Sequence, residues 1–103
     1  MQIIRSKAVT ANPARSSVAV ANMNGFTTRV HWTDKHCKSH VNDGEEVFAA
    51  LDSTVDMHYR EAGVESVVTL SIGDVFFAQV GCEHVAHPGG EARVLVVERE
   101  DSV

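Results

Sequence analysis

The stretch Thr54-Val55-Asp56-Met57-His58-Tyr59-Arg60 decides the fold class. Val55, Met57 and Tyr59 alternate with Asp56, His58 and Arg60, the period of a strand with one face buried and the other wet or functional. Turn signals bracket it, Asp52-Ser53 before and Glu61-Ala62-Gly63 after. Similar signals recur along the chain at Asn24-Gly25, Thr33-Asp34-Lys35, Asn42-Asp43-Gly44, Gly73-Asp74, Gly81 and Pro88-Gly89-Gly90. Most are spaced by about ten residues, the rhythm of an antiparallel sandwich or barrel.

Working outward, seventeen valines against three leucines favour pleated sheets, because β-branched side chains lose rotamer freedom in helices. Strands are predicted at Val18 to Ala21, Phe26 to Trp32, Glu46 to Leu51, Thr54 to Arg60, Val64 to Leu70, Val75 to Ala78, His84 to His87 and Ala92 to Glu98. The run Ala92-Arg93-Val94-Leu95-Val96-Val97 is apolar at nearly every position, as in a central strand covered on both faces. The expected architecture is all-β and antiparallel. Residues 1–22 are read as an N-terminal arm and first strand and 23–103 as the barrel, one domain overall. The first 16 residues read as a loose arm, free to dock on its own fold or on a second copy.

The chain has 103 residues, 44% of them hydrophobic and 22% charged, which is enough for one globular core. Its net charge of −5 has the wrong sign for a nucleic-acid binder. The charge is uneven. Residues 1–33 carry Arg5, Lys7, Arg15 and Arg29 and no acid, whereas all fourteen acids follow. A basic, acid-free start has the composition of a transit segment, but Val18, Val20, Val30 and Trp32 read as ordinary strand positions, which a disposable leader would not need. Ile3-Ile4 is followed at once by Arg5, so the apolar stretch of a secretion signal is missing, and no apolar run is long enough to span a bilayer. A cytoplasmic protein with no membrane partner is expected, with Cys37 and Cys82 as free thiols.

Six histidines (His31, His36, His40, His58, His84 and His87) are many for so short a chain, and imidazole is the commonest metal ligand. His40, Asn42 and Glu46 share one parity and can converge on one face, with the Asp43-Gly44 turn between them. A fourth group, His84, closes the distant stretch Gly73-Asp74-Val75-Phe76-Phe77-Ala78-Gln79-Val80-Gly81-Cys82-Glu83-His84.

These residues resemble the two motifs of the cupins. The first motif has the form G-x5-H-x-H-x3,4-E-x6-G, and His40-Val41-Asn42-Asp43-Gly44-Glu45-Glu46 is similar to it. Asp34 stands at the first glycine, Asn42 at the second histidine and Ser53 at the closing glycine. The second has the form G-x5-P-x-G-x2-H-x3-N, and Gly73, Gly81 and His84 fall in place, with Gln79 for the proline and Pro88 for the asparagine. The resemblance covers roughly residues 30 to 98. It implies a small jelly-roll β-barrel of the mannose-6-phosphate-isomerase-like or RmlC-like groups, with a degenerate first motif. It further implies a divalent metal such as Fe, Mn, Ni or Zn, held by His40, Asn42, Glu46 and His84.

An Asn42 amide oxygen is a weaker donor than imidazole, which leaves two nitrogens and one carboxylate as the strong ligands. That set is still a facial triad with open positions, suited to non-haem Fe(II). The alternative is a metal-free barrel in which His40 and His84 line a ligand cavity. Glu45 and Glu46 point to opposite faces, and the spacing from Asn42 favours Glu46. A register using His40 as the second histidine selects Glu45 and places the cation Lys38 at the first position. His36 and Cys37 lie near enough to substitute as ligands, although Cys37 and Cys82 read as small core residues, Cys82 being redox-active only with a stabilised thiolate. His87 is expected on the face opposite His84. His31 reads as structural, and Val30, Trp32, Phe76 and Phe77 as core. Asp56, His58 and Arg60 either look into the barrel mouth or form a solvated edge.

Three functions remain open on these residues. One is a metal-dependent enzyme with isomerase or dioxygenase chemistry on a small polar or sugar-like molecule. The second is a binding module holding such a molecule without turnover. The third is a structural dimer with a vestigial pocket. The alternation around Ile3-Ile4 and Val18-Val20, the positive arm and the acidic remainder together predict a homodimer with the arm at or near its interface.

Overall fold

A computed structural model describes residues 1–9, 17–34, 40–41 and 44–100, with the backbone alone at 40–41. Nine strands are formed among the described residues: β1 (Ser17–Met23), β2 (Phe26–Thr33), β3 (His40–Val41), β4 (Glu46–Asp52), β5 (Val55–Glu61), β6 (Val64–Leu70), β7 (Val75–Ala78), β8 (Glu83–Pro88) and β9 (Ala92–Arg99). All pairings are antiparallel. One sheet runs β1-β2-β9-β4-β7 and the other β3-β8-β5-β6. This is the expected two-sheet jelly roll. No helix among the described residues is long and apolar enough to cross a membrane.

Two-residue connections start two of the hairpins. Asn24 and Gly25 have φ of 55° and 85° between β1 and β2, and Ala62 and Gly63 have 51° and 79° between β5 and β6. Two positive φ values in succession match the right-handed twist of the flanking strands. Asn and Gly tolerate this region, but Ala62 is held there against its side chain.

The core forms where the inner faces meet. Phe48 and Ala50 of β4 and Ala92, Val94 and Val96 of β9 pack against Val55, Met57, Leu70 and Ala86 of the other sheet. The alternation of the 54–60 stretch is realised, since Val55 and Met57 are fully buried while Asp56 and Arg60 are exposed. β9 lies centrally between β2 and β4, as expected. Its outer positions Leu95 and Val97 are only half-buried, so the strand is not covered on both faces. Phe77 corrects a second expectation. It pairs with Val47 on the outer face and is 51% exposed, whereas Phe76 pairs with Phe48 and packs on the core. Adjacent residues of a strand cannot both point inward.

β3 was not predicted as a strand, because two residues carry no readable period. The chain's start docks on its own barrel: Val9 is buried, and its carbonyl accepts from Arg93 Nε at 2.8 Å. Arg93 also bonds Asp52 (Nη1 to Oδ2, 3.0 Å), beside an irregularity in the β4–β9 register between Ala50 and Asp52.

Candidate metal and ligand site

Strand parity brings Glu46 and His84 together. Glu46 is the first residue of β4 on the face that continues through Phe48 and Ala50, and His84 shares its face of β8 with Ala86. The two sheets face each other, so these side chains meet inside the barrel. His84 Nε2 lies 2.6 Å from Glu46 Oε1, with both residues buried. The other ring nitrogen, Nδ1, lies 3.4 Å from the Cys82 carbonyl. A carbonyl only accepts, so Nδ1 donates to Cys82 and Nε2 is the nitrogen turned to the carboxylate. Burial alone lowers the His84 pKa, but the hydrogen bond and charge of Glu46 outweigh it and the net shift is upward. The Glu46 carboxylate thus favours the protonated form of the ring that faces it.

Of the residues the sequence singled out, the structure brings Glu46 and His84 into contact. It places His40 opposite His84 in the β3–β8 register. Asn42, together with His36, Cys37 and Lys38, lies outside the described residues. Glu45 is exposed and Glu46 buried, so the spacing that favoured Glu46 selects the inward residue. His87 falls on the outer face of β8, where its ring stacks on His58 with centroids 3.9 Å apart. Asp56, His58 and Arg60 lie on the solvated outer face: Asp56 accepts from Thr69 at 2.7 Å, and Arg60 pairs with Glu65 and Glu83. Cys82 is a buried free thiol whose pKa is raised by burial and by the charges of Glu61 and Glu46, the opposite of an activated thiolate.

Two further groups lie near this centre, one passed over in the sequence and one read there as structural. Glu98 of β9 is the register partner of Glu46. Burial together with the charge and hydrogen bond of Glu46 raises its pKa to about 7. Continuing the inward series Ala92, Val94, Val96 by one more step would have found it. His31, read as structural, is near enough to Glu46 and Arg29 to feel both. Its pKa is lowered by burial and by Arg29, against an upward pull from Glu46. Phe76 packs beside the pair, with ring centroids 5.5 Å from Tyr59 and 6.2 Å from His84.

The donor chemistry fits a divalent ion. Two donors bound at about 2.1 Å to one ion at a right angle stand ~3 Å apart. Glu46 and His84 at 2.6 Å need to open by only a few tenths of an ångström. The Cys82 carbonyl already orients the ring as an outer partner orients a ligating histidine. Among the described residues no group of three His, Cys, Asp or Glu side chains is placed to hold a metal. The side chain of His40, which the resemblance implies as a further ligand, lies outside the described residues.

No protein-family model matches the chain, and no curated protein matches it in sequence. Solved structures do match. A cupin-2 domain containing protein from Shewanella frigidimarina is similar at 20% identity and a TM-score of 0.74, over 91% of this chain and 96% of that one. A cupin superfamily protein from Desulfitobacterium hafniense superposes with a TM-score of 0.78 at 13% identity, over 93% and 87% of the two chains. Hydroquinone 1,2-dioxygenase from Sphingomonas sp. TTNP3 matches with a TM-score of 0.74 at 17% identity, over 85% of this chain but 28% of that larger one. Two facing antiparallel sheets of this order, matched end to end by chains of similar size, make the fold of this protein that of a small cupin.

Proposed function

We propose that the barrel interior binds a divalent metal through Glu46, His84 and His40, with Asn42 as a weaker fourth donor, and through it a small polar or sugar-like molecule. The buried Glu46–His84 pair at 2.6 Å carries this reading. A carboxylate and an imidazole removed from water on facing sheets are costly to keep, and a stabilising core would do better with apolar residues. A metal bound there would supply Lewis acidity or oxygen activation through its open positions, the basis for isomerase or dioxygenase chemistry. The chain's own residues supply the rest: the Cys82 carbonyl orients His84, and Phe76 and Tyr59 form an apolar wall beside it.

A second reading, a ligand-binding cavity without metal, is favoured by the way Glu46 and His84 already satisfy each other. Titration of chelator-stripped protein with Mn(II) or Zn(II) separates the two. Stoichiometric uptake that His84→Ala abolishes while leaving the β-type circular dichroism intact supports the metal site. Absence of uptake supports the metal-free cavity. The homodimer remains a proposal of the same kind, supported by the apolar outer face of the five-stranded sheet, where Phe26, Val75 and Phe77 are 42%, 63% and 51% exposed.

A further inference from the structure

The five-stranded sheet ends in β1, and its edge is bent. Ala19 pairs with Arg29 but Ala21 pairs with Thr28, so Val20 is an extra residue in the ladder. Such a bulge turns an edge strand and re-aims its neighbours. Behind the bend lies a cavity of about 340 Å³ lined by Ala19, Ala21, Asn22, Arg29, Glu98 and Glu100. That volume is within the range of small-molecule sites. Glu98 belongs to both places, since it lines this cavity and hydrogen-bonds Glu46. One side chain, Glu98, therefore connects the cavity to the Glu46–His84 pair.

Arg29 is the cation of this cavity. Its Nη1 donates to Ser17 Oγ at a long 3.3 Å, and no carboxylate among the described residues lies within salt-bridge distance of it. A guanidinium presents a planar fork of donors that matches a carboxylate two bonds at a time. Glu98 and Glu100 line the same space, so a doubly charged phosphate would be repelled about twice as strongly as a single carboxylate. They are acceptors for a hydroxyl or ammonium group. Asn22 already accepts from Gly25 N through Oδ1 at 3.1 Å, which leaves its amide nitrogen to donate.

We propose that this cavity takes a small hydroxy- or amino-carboxylate, with Arg29 holding the carboxylate and Glu98 and Glu100 the hydroxyl or ammonium group. The proposal deepens the function given above by naming the ligand class, and it rests on that reading only in treating the cavity as part of the same site. Amide NMR of the full-length, metal-free protein tests it with L-lactate, L-serine and inorganic phosphate as probes. Saturable shifts on β1, β2 and β9 with lactate or serine are expected, and at least tenfold weaker ones with phosphate. Arg29→Gln is expected to lose tenfold or more in carboxylate affinity, with Arg29→Lys between it and wild type. Ala21→Phe, which fills the cavity without touching a charge, is expected to lose binding as fully; retained spectral dispersion reports the fold of each variant. No saturable shift with either carboxylate, binding unchanged in both Arg29→Gln and Ala21→Phe, or phosphate binding as tightly would overturn the assignment. A parallel metal titration keeps the two ideas apart. Metal uptake without carboxylate binding refutes the cavity alone, and carboxylate binding without metal uptake refutes the metal site alone.

Discussion

Glu98 makes the stability of the metal-free protein depend on pH in a direction opposite to most carboxylates. An unfolded chain releases this proton near 4.5, whereas the native chain keeps it to about 7. Between those values the native state binds more protons, so stability falls as pH rises through the window and is flat above it. Fully expressed, the rise amounts to roughly 3 kcal/mol. The side chain is only half-buried, and solvent screening reduces this to about 1–2 kcal/mol. His84 adds a contribution of the same sign: its raised folded pKa gives stability that is complete below 6.5 and lost as pH climbs through the folded value. Glu98→Gln removes the first contribution and leaves most of the second, because Glu98 is the smallest of the causes that raise His84. Urea unfolding in the presence of a chelator, from about pH 5 to about pH 8, measures both. The variant is expected to be the more stable protein by ~1 kcal/mol at the upper end, which is a midpoint shift of about 0.5–1 M urea. Its curve should also be flatter below about pH 7. An unchanged slope in Glu98→Gln, or a wild-type protein that gains stability across the window, would mean that native Glu98 does not hold its proton to about 7.

Further outcomes are expected from other residues. Glu46→Ala leaves the His84 imidazole buried without its carboxylate and should destabilise the metal-free protein by about 3 kcal/mol near pH 6, read by the same unfolding experiment. Met57 is fully buried between the sheets, and Met57→Ala should cost about 2–5 kcal/mol while leaving the strand content in circular dichroism unchanged below the transition. Ala62→Asn relieves a residue held at φ 51° and should raise thermal stability, by about 0.5–1 kcal/mol. Asn42→His should tighten metal binding at least tenfold in an equilibrium titration, because imidazole replaces an amide oxygen; unchanged affinity means that Asn42 is not a donor.

The barrel was legible because its strands are period-two patterns between turn residues, and those patterns depend only on which face meets the core. Residues 54–60 therefore read correctly in type and place, while the continuous apolar run at 92–97 marked a central strand but not its half-buried outer face. Phe77 did not, because an aromatic pair carries no parity of its own and only the pairing with β4 decides which ring turns inward. In the site, Glu46 was reached by counting from a motif, and strand parity alone separates it from Glu45. Glu98 was passed over since it closes an apolar run and has the look of a solvated strand end. Its importance arises from register, a long-range property that places it directly across from Glu46. Arg29 was invisible for a similar reason: its neighbours in the cavity come from three strands.

Glu46 and His84 are proposed above as members of a metal site. Elemental analysis of the protein purified without a His tag tests this most directly, with His84→Ala measured beside the wild type. Close to one divalent metal per wild-type chain is expected, and little in the variant. Wild-type protein free of metal after supply of iron, manganese and zinc, or equal metal in the folded variant, would contradict the assignment.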